Sequence, residues 1–349
     1  MKALTVVLAV AVSGFVGSAE TLAGVTVGQS EAVVATPKGT EEVVANSEPE
    51  SITGVAAALY NEGGRLLELG QYAEASRAFE QAVQLKPGSA LLHNDLGYSY
   101  FLGGRYSNAV IAYQQAIKLQ PNFALAYNNL GAAYLRLKNY ENAYLFLKKA
   151  LVVNPDYLTA QYHLGVAYYE AGQIREAAES FQQALKLNPK HSAALVGLAC
   201  SYIDLERFSE AISILREALA KDPKLQIAER QLGNALFKAG SYQEAVRAYQ
   251  RALELNPADA EVLNNLGVVY HELRLFRKAI DVYQQAIALA PTYAAAHYNL
   301  ALAYLGSKKR QEAIAEYALL KSLDLARAEL LYKALFAGKV IKVNQSADP

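Results

Sequence analysis

Tryptophan is absent from this sequence, and cysteine and methionine occur once each. A single cysteine, Cys200, excludes an internal disulfide and the Cys/His zinc sites of the finger type. A surplus of charge of either sign is missing too, because 33 Lys and Arg stand against 33 Asp and Glu. A protein that tracks a phosphate backbone needs a clustered cationic excess, so this balance argues against nucleic acid as a partner. Charged residues make up 19% of the 349, while 53% are hydrophobic, enough for a continuous core. What is plentiful is tyrosine, with 24 copies.

Residues 1–19, MKALTVVLAVAVSGFVGSA, read as an export signal. Lys2 supplies the positive start, residues 3–16 the apolar stretch, and Gly17, Ser18 and Ala19 a small-residue cleavage site. Cleavage after Ala19 leaves a chain of net charge 32 − 33 = −1, since Lys2 is the only charge lost. The alternative is an uncleaved membrane anchor, the apolar stretch being close to the lower limit for a span. Either way the location expected is the periplasm, cell envelope or extracellular space. Residues 20–54 follow with six glutamates against one lysine and no aromatic residue. Too little there can be buried to offset the entropy of ordering, so this segment is expected to be a flexible acidic linker.

Beyond the linker a period of 34 residues takes over. Prolines fall at 87, 121, 155, 189, 223, 257 and 291. Alanines keep the same step at 82, 116, 150, 184, 218, 252 and 286, and again at 75, 109, 143, 177, 211, 245, 279 and 313. Glycines at 63, 97, 131, 165, 233 and 267 form a fourth series, with Ala199 and Ala301 in the two vacant places. Four phased series mark a repeat architecture. Within 124–157, Tyr127, Leu130, Gly131 and Tyr134 lie on one face of a first helix, and Ala143, Leu147, Ala150 and Leu151 on one face of a second. Gly131 and Ala143 let the two helices approach, and Pro155 ends the pair. Tyr140, with Tyr72, Tyr106, Phe208, Tyr242 and Phe276 at the equivalent place, is expected to wedge the turn between paired helices. The tyrosine excess is therefore mainly packing.

This pattern resembles the tetratricopeptide repeat family. It covers eight units, 56–89, 90–123, 124–157, 158–191, 192–225, 226–259, 260–293 and 294–327. The resemblance implies an all-α right-handed superhelix, a solenoid of helical hairpins. In the last unit Leu320 replaces the packing alanine and Leu325 the proline. A capping helix over 328–337 is expected to close the stack, with Leu325, Ala328, Tyr332 and Leu335 covering the end and Arg327 and Lys333 outward. A flexible tail, 338–349, is expected after it. The fifth unit is also off pattern, with Ala199 for glycine and Lys221 for leucine.

The resemblance further implies that the first helices line a concave groove, at the second, fifth, sixth, ninth, twelfth and thirteenth places of each unit. The sixth place holds Asn61, Asp95, Asn129, His163, Gly197, Gln231, Asn265 and Asn299, and Asn94, Asn128 and Asn264 extend the row at the fifth. Asparagine both donates and accepts, so such a ladder can pair with an extended peptide backbone of any sequence. Asparagine is also simply common at this place in the family, a reading that needs no ligand. Tyr98, Phe101, Tyr162, Tyr169, Cys200, Ile203 and Phe237 lie between, as anchors for peptide side chains or as packing between helices. Some family members clamp a C-terminal carboxylate with cations and two asparagines. Here Arg230, Asn234 and Asn265 match, but Ala295 and Asn299 stand where cations are needed, so a complete clamp is not expected.

Catalysis finds little support. The five histidines, His93, His163, His191, His271 and His297, sit in different units without metal-ligand spacing, and no phosphate-cradling glycine loop occurs. His93 and His297 read as packing histidines, and His163 near Cys200 as a weak nucleophilic pairing. No catalytic residue, metal or cofactor is assigned, and no small-molecule substrate is expected. The expected function is a non-enzymatic scaffold that binds a peptide or protein in the groove, touching membrane only if the N-terminal segment is kept. The alternatives are a self-assembly module, or a tethered subunit of an envelope or secretion complex.

Overall fold

The computed structural model describes residues 52–344. The export signal and nearly all of the expected linker lie outside them. The described residues form an all-α protein of seventeen helices, with no strand among them. They fall into two compact units, one up to Ser201 and one from Tyr202 onward.

The first unit holds α1 (Ile52–Glu68), α2 (Tyr72–Leu85), α3 (Ala90–Leu102), α4 (Tyr106–Leu119), α5 (Ala124–Arg136), α6 (Tyr140–Val153), α7 (Leu158–Glu170), α8 (Ile174–Leu187) and most of α9 (Ser192–Asp204). From α1 to α8 every helix packs on the next, and α3, α5 and α7 also touch in succession. The second unit holds α10 (Phe208–Lys221), α11 (Gln226–Lys238), α12 (Tyr242–Leu255), α13 (Ala260–Glu272), α14 (Phe276–Leu289), α15 (Ala294–Gly306), α16 (Arg310–Leu323) and α17 (Leu325–Asn344). There too each helix packs on the next, and α11, α13, α15 and α17 touch in succession. The boundary between the units falls inside the fifth repeat, the one with Ala199 in the glycine place.

The helices keep the period of the sequence. From α3 on, first helices begin at residues 90, 124, 158, 192, 226, 260 and 294, and second helices begin 34 residues apart from Tyr72 to Arg310. Each pair turns in the left-handed backbone region, at Gly70, Gly104, Lys138, Gly172, Glu206, Gly240, Arg274 and Lys308. The turn is closed by bonds such as Gly104 N–H to Phe101 O at 3.0 Å and Arg105 N–H to Tyr100 O at 2.8 Å. The alanines of both series are fully or nearly fully buried.

The pairing inside a repeat is a glycine on the first helix against a large side chain on the second. A Cβ on Gly131 would stand 2.6 Å from Cγ of Leu147, and one on Gly97 2.7 Å from the Tyr113 ring. The Tyr113 ring and Leu147 are fully buried, so the glycines are required by close approach. In the last repeat Ala301 fills the glycine place, and Tyr317 packs instead near Tyr332 and Phe336, at ring separations of 5.9 and 6.4 Å.

The capping helix differs from expectation in two ways. It runs from Leu325 to Asn344, longer at both ends than 328–337, so part of the expected tail is helical. Its covering face is Ala328, Leu331 and Leu335, which are buried, while Leu325 is 63% and Tyr332 43% exposed. The stripe at i, i+3 and i+7 faces α15 and α16, and Leu325 and Tyr332 lie to its side. Leu331 was missed because the expected stripe placed Tyr332 in the core instead. Among the described residues no helix is long and apolar enough to cross a membrane.

Candidate functional site

The fifth and sixth places of successive first helices come together as two continuous chains of side-chain hydrogen bonds. In the first unit the His163 Nδ1 lies within hydrogen-bond distance of Asn128 Oδ1, at 2.9 Å. Asn128 Nδ2 donates to Asn129 Oδ1 at 3.1 Å, and Asn129 Nδ2 to Asn94 Oδ1 at 3.1 Å. Asn94 Nδ2 donates to Asp95 Oδ1 at 2.9 Å, and the Tyr60 hydroxyl closes the chain on Asp95 Oδ2 at 2.9 Å. The links join α1, α3, α5 and α7. The bonds between helices span 35 residues, one repeat plus one place.

The second unit repeats the device with different members. Asn299 Nδ2 donates to Asn264 Oδ1 at 2.9 Å, Asn264 Nδ2 to Asn265 Oδ1 at 3.3 Å, and Asn265 Nδ2 to Asn234 Oδ1 at 3.4 Å. Asn234 Nδ2 then donates to Gln231 Oε1 at 2.9 Å, and Asn234 Oδ1 also accepts from the Tyr249 hydroxyl at 2.6 Å. Gln231 Nε2 is buried without a hydrogen-bond partner among the described residues, as is Arg230 Nε. Arg230 reaches Glu261 instead, Nη1 to Oε2 at 2.7 Å.

This geometry changes the expected role of the asparagine ladder. Asn94, Asp95, Asn128, Asn129, Gln231, Asn234, Asn264, Asn265 and Asn299 are all buried, Asn129 being 1% exposed. Their carboxamides are turned to one another rather than to an open groove, because donor and acceptor places on neighbouring helices are complementary. Tyr162 and Tyr169 are buried as well, so neither is presented as an anchor. Tyr162 packs near Phe181, His163 and His191, at ring separations of 5.8, 5.8 and 5.2 Å. Cys200, Ile203 and Phe237 are buried, while Phe101, Tyr98, His163 and Arg230 keep partial exposure and Asn61 is exposed. The chain stops after His163 because Val196 and Gly197 follow at the two places. A Cβ on Gly197 would stand 2.6 Å from the Phe181 ring, so no polar side chain fits there.

Tyr60 is the member that sequence reasoning missed. Its signal was its own position, the fifth place, one repeat plus one before Asp95. His93 and His297 are packing histidines, each with Nε2 on the carbonyl of the preceding proline, Pro87 at 3.0 Å and Pro291 at 2.9 Å. Burial sets the electrostatics of the first chain. It lifts the Asp95 carboxyl to about 6, although bonds from Asn94 and Tyr60 pull it down. It lowers the His163 imidazole to about 4, with His191 adding to the effect.

No curated protein sequence matches the chain. Among solved structures, the Cut9–Hcn1 hetero-tetramer of the APC/C aligns at 20% identity and TM-score 0.58, covering 79% of this chain and 55% of that one. This chain therefore spans little more than half of that protein's length. A tetratricopeptide repeat protein from Parabacteroides merdae ATCC 43184 aligns at 18% identity and TM-score 0.57, covering 71% of this chain and 98% of that one. YrrB, described as a TPR protein with an unusual peptide-binding site, aligns at 26% identity and TM-score 0.45 over 54% of this chain and 96% of its own. The family profile for the cilia and flagella-associated protein 70 C-terminal domain, a tetratricopeptide-repeat domain, matches residues 18–255. A second profile, described as tetratricopeptide repeat, matches 230–294 and 272–324. With helix pairs in step with the period and profile matches over more than half its length, the chain belongs to the tetratricopeptide repeat family.

Proposed function

We propose that this chain is a non-catalytic scaffold that holds an extended segment of a partner polypeptide against its first helices. Tetratricopeptide folds generally serve as protein–protein interaction scaffolds. The observation that carries the reading is Gln231 Nε2, a buried donor without an acceptor, beside Asn234 and the partly exposed Arg230. An unmet buried donor is costly, and a turn of the Gln231 carboxamide toward an incoming carbonyl oxygen, which a peptide backbone supplies at every residue, would relieve it. The first unit offers a face of its own on its first helices, where Tyr98 and His163 are partly exposed. Export to the cell envelope or beyond is part of the proposal and rests on residues 1–19. Mass spectrometry of the mature N-terminus separates cleavage from retention as an anchor.

The test is site-specific photocrosslinking in the native host. A photoreactive side chain at Tyr98 or Arg230 on the first helices is expected to capture a polypeptide. The same group at Ile111, exposed on the second helix α4, serves as the control. Adducts from Ile111 alone would overturn the reading.

A further inference from the structure

Direction is the unexplained property of the first polar chain. An asparagine side chain can be turned over, exchanging donor for acceptor, so a row of amides has two polarities of similar energy. One member of fixed polarity decides between them. In the second unit the chain ends on Gln231, another amide, and nothing there imposes a direction. In the first unit it ends on Asp95, whose ionised carboxylate can only accept.

The consequence passes link by link. Because Asp95 Oδ1 accepts, Asn94 presents Nδ2 to it and leaves Oδ1 for Asn129. Asn129 must then donate to Asn94, so its own Oδ1 accepts from Asn128. Asn128 is left with Oδ1 toward the histidine, and only a protonated Nδ1 can satisfy it. We propose that Asp95 is a positioning residue, which through Asn94, Asn129 and Asn128 holds His163 in its Nδ1–H tautomer and so makes Nε2 an acceptor. A free neutral imidazole prefers the opposite tautomer, with the proton on Nε2, so the effect is a reversal rather than a bias already present. The four residues from Asp95 to Asn128 are buried, and Asp95 itself is 5% exposed, which keeps water from relaxing the chain. Two features therefore coincide, a carboxylate at one end and a partly exposed histidine at the other.

For recognition, a partner meeting His163 must bring an N–H or ammonium donor to Nε2, not an acceptor. That clause rests on the proposed binding face; the tautomer itself does not.

The experiment is two-bond 1H–15N correlation spectroscopy of the ligand-free full-length protein near neutral pH, with the His163 ring signals identified by their loss in His163→Gln. The wild-type spectrum alone decides the direction: an Nδ1–H pattern is expected, and an Nε2–H pattern overturns the proposal. Asp95→Asn then decides the cause. A residue that can both donate and accept frees the chain, so His163 is expected to shift from essentially one tautomer to a mixture or to Nε2–H. A folded Asp95→Asn protein that keeps pure Nδ1–H overturns Asp95 as the source. Asn129→Ser cuts the chain midway and is expected to release His163 in the same way. Tyr60→Phe removes a donor to Asp95 without touching the direction while Asp95 stays ionised, so at about pH 8 it should leave the tautomer unchanged. Because no ligand is present, failure here leaves the scaffold reading standing, and absence of a captured partner leaves this proposal standing.

Discussion

Asn129 and Asn94 lie 35 residues apart in sequence and meet side chain to side chain at 3.1 Å, both out of reach of solvent. Asn129→Ala strands two partners, the Asn94 carbonyl and the Asn128 amide, inside the first unit. A stranded buried polar group costs about 1–3 kcal/mol. The expected loss is therefore at least ~2 kcal/mol, read as a lower urea midpoint, whereas exposed Asn61→Ala should change stability by no more than about 0.5 kcal/mol. Equal, small effects at both positions would mean that the chain of amides does not hold the helices.

Much of this architecture was readable because its causes are local. Proline at 155 cannot continue a helix, and glycine at 131 admits Leu147, so the 34-residue series placed every helix pair. The polar chain depends instead on an offset between neighbours. The fifth place of one first helix meets the sixth of the next, and no single repeat reveals that rotation. The evidence was in the rows: Tyr60 with Asp95, Asn94 with Asn129 and Asn128 with His163 are complementary pairs at that offset. Reading each row separately made them look like unpaired groups awaiting a ligand. Tyr162 misled for a related reason, since its place faces the groove in the family but is closed here by Phe181 and His191.

The turns between paired helices give a second, independent test. Lys138 sits at φ 56° and Arg274 at φ 56°, while Gly104 holds the same place at φ 72°. An L side chain in the left-handed region costs roughly 1–2 kcal/mol, offset partly by the greater unfolded-state freedom of glycine. Lys138→Gly is expected to raise stability by up to ~1 kcal/mol, and Gly104→Ala to lower it by about 1 kcal/mol. Thermal unfolding of the two single variants checks this. Loss of stability in Lys138→Gly would show that the lysine side chain contributes more than its backbone costs.

Recognition of a free C-terminus is not expected. Arg230 is held by Glu261 at 2.7 Å, Asn234 and Asn265 are engaged in the second chain, and Ala295 and Asn299 supply no cation. Any peptide captured by the first helices should bind with the same affinity whether its terminus is free or amidated. Calorimetry on the two forms measures it, and a loss of tenfold or more on amidation would require another cation at the site.

Acid gives the sharpest discrimination, because Asp95 and His163 titrate with opposite sign. Folding raises the Asp95 carboxyl from 3.8 to about 6, so the folded state holds that proton more tightly. Its contribution to stability is present below the unfolded value and is lost as pH rises through about 6. Folding lowers the His163 imidazole from 6.5 to about 4, so the folded state resists that proton. Its contribution is present above the unfolded value and is lost as pH falls toward about 4. Between about 4 and about 6 the two slopes oppose in the wild type. Asp95→Asn removes one of them, so its urea midpoint is expected to fall more steeply on acidification than that of the wild type. His163→Gln keeps a donor for Asn128 and removes the other, so its midpoint should fall less steeply or rise. If both variants follow the wild-type profile, the two groups do not titrate from the buried chain, and the hydrogen-bond path from Tyr60 to His163 is open to water.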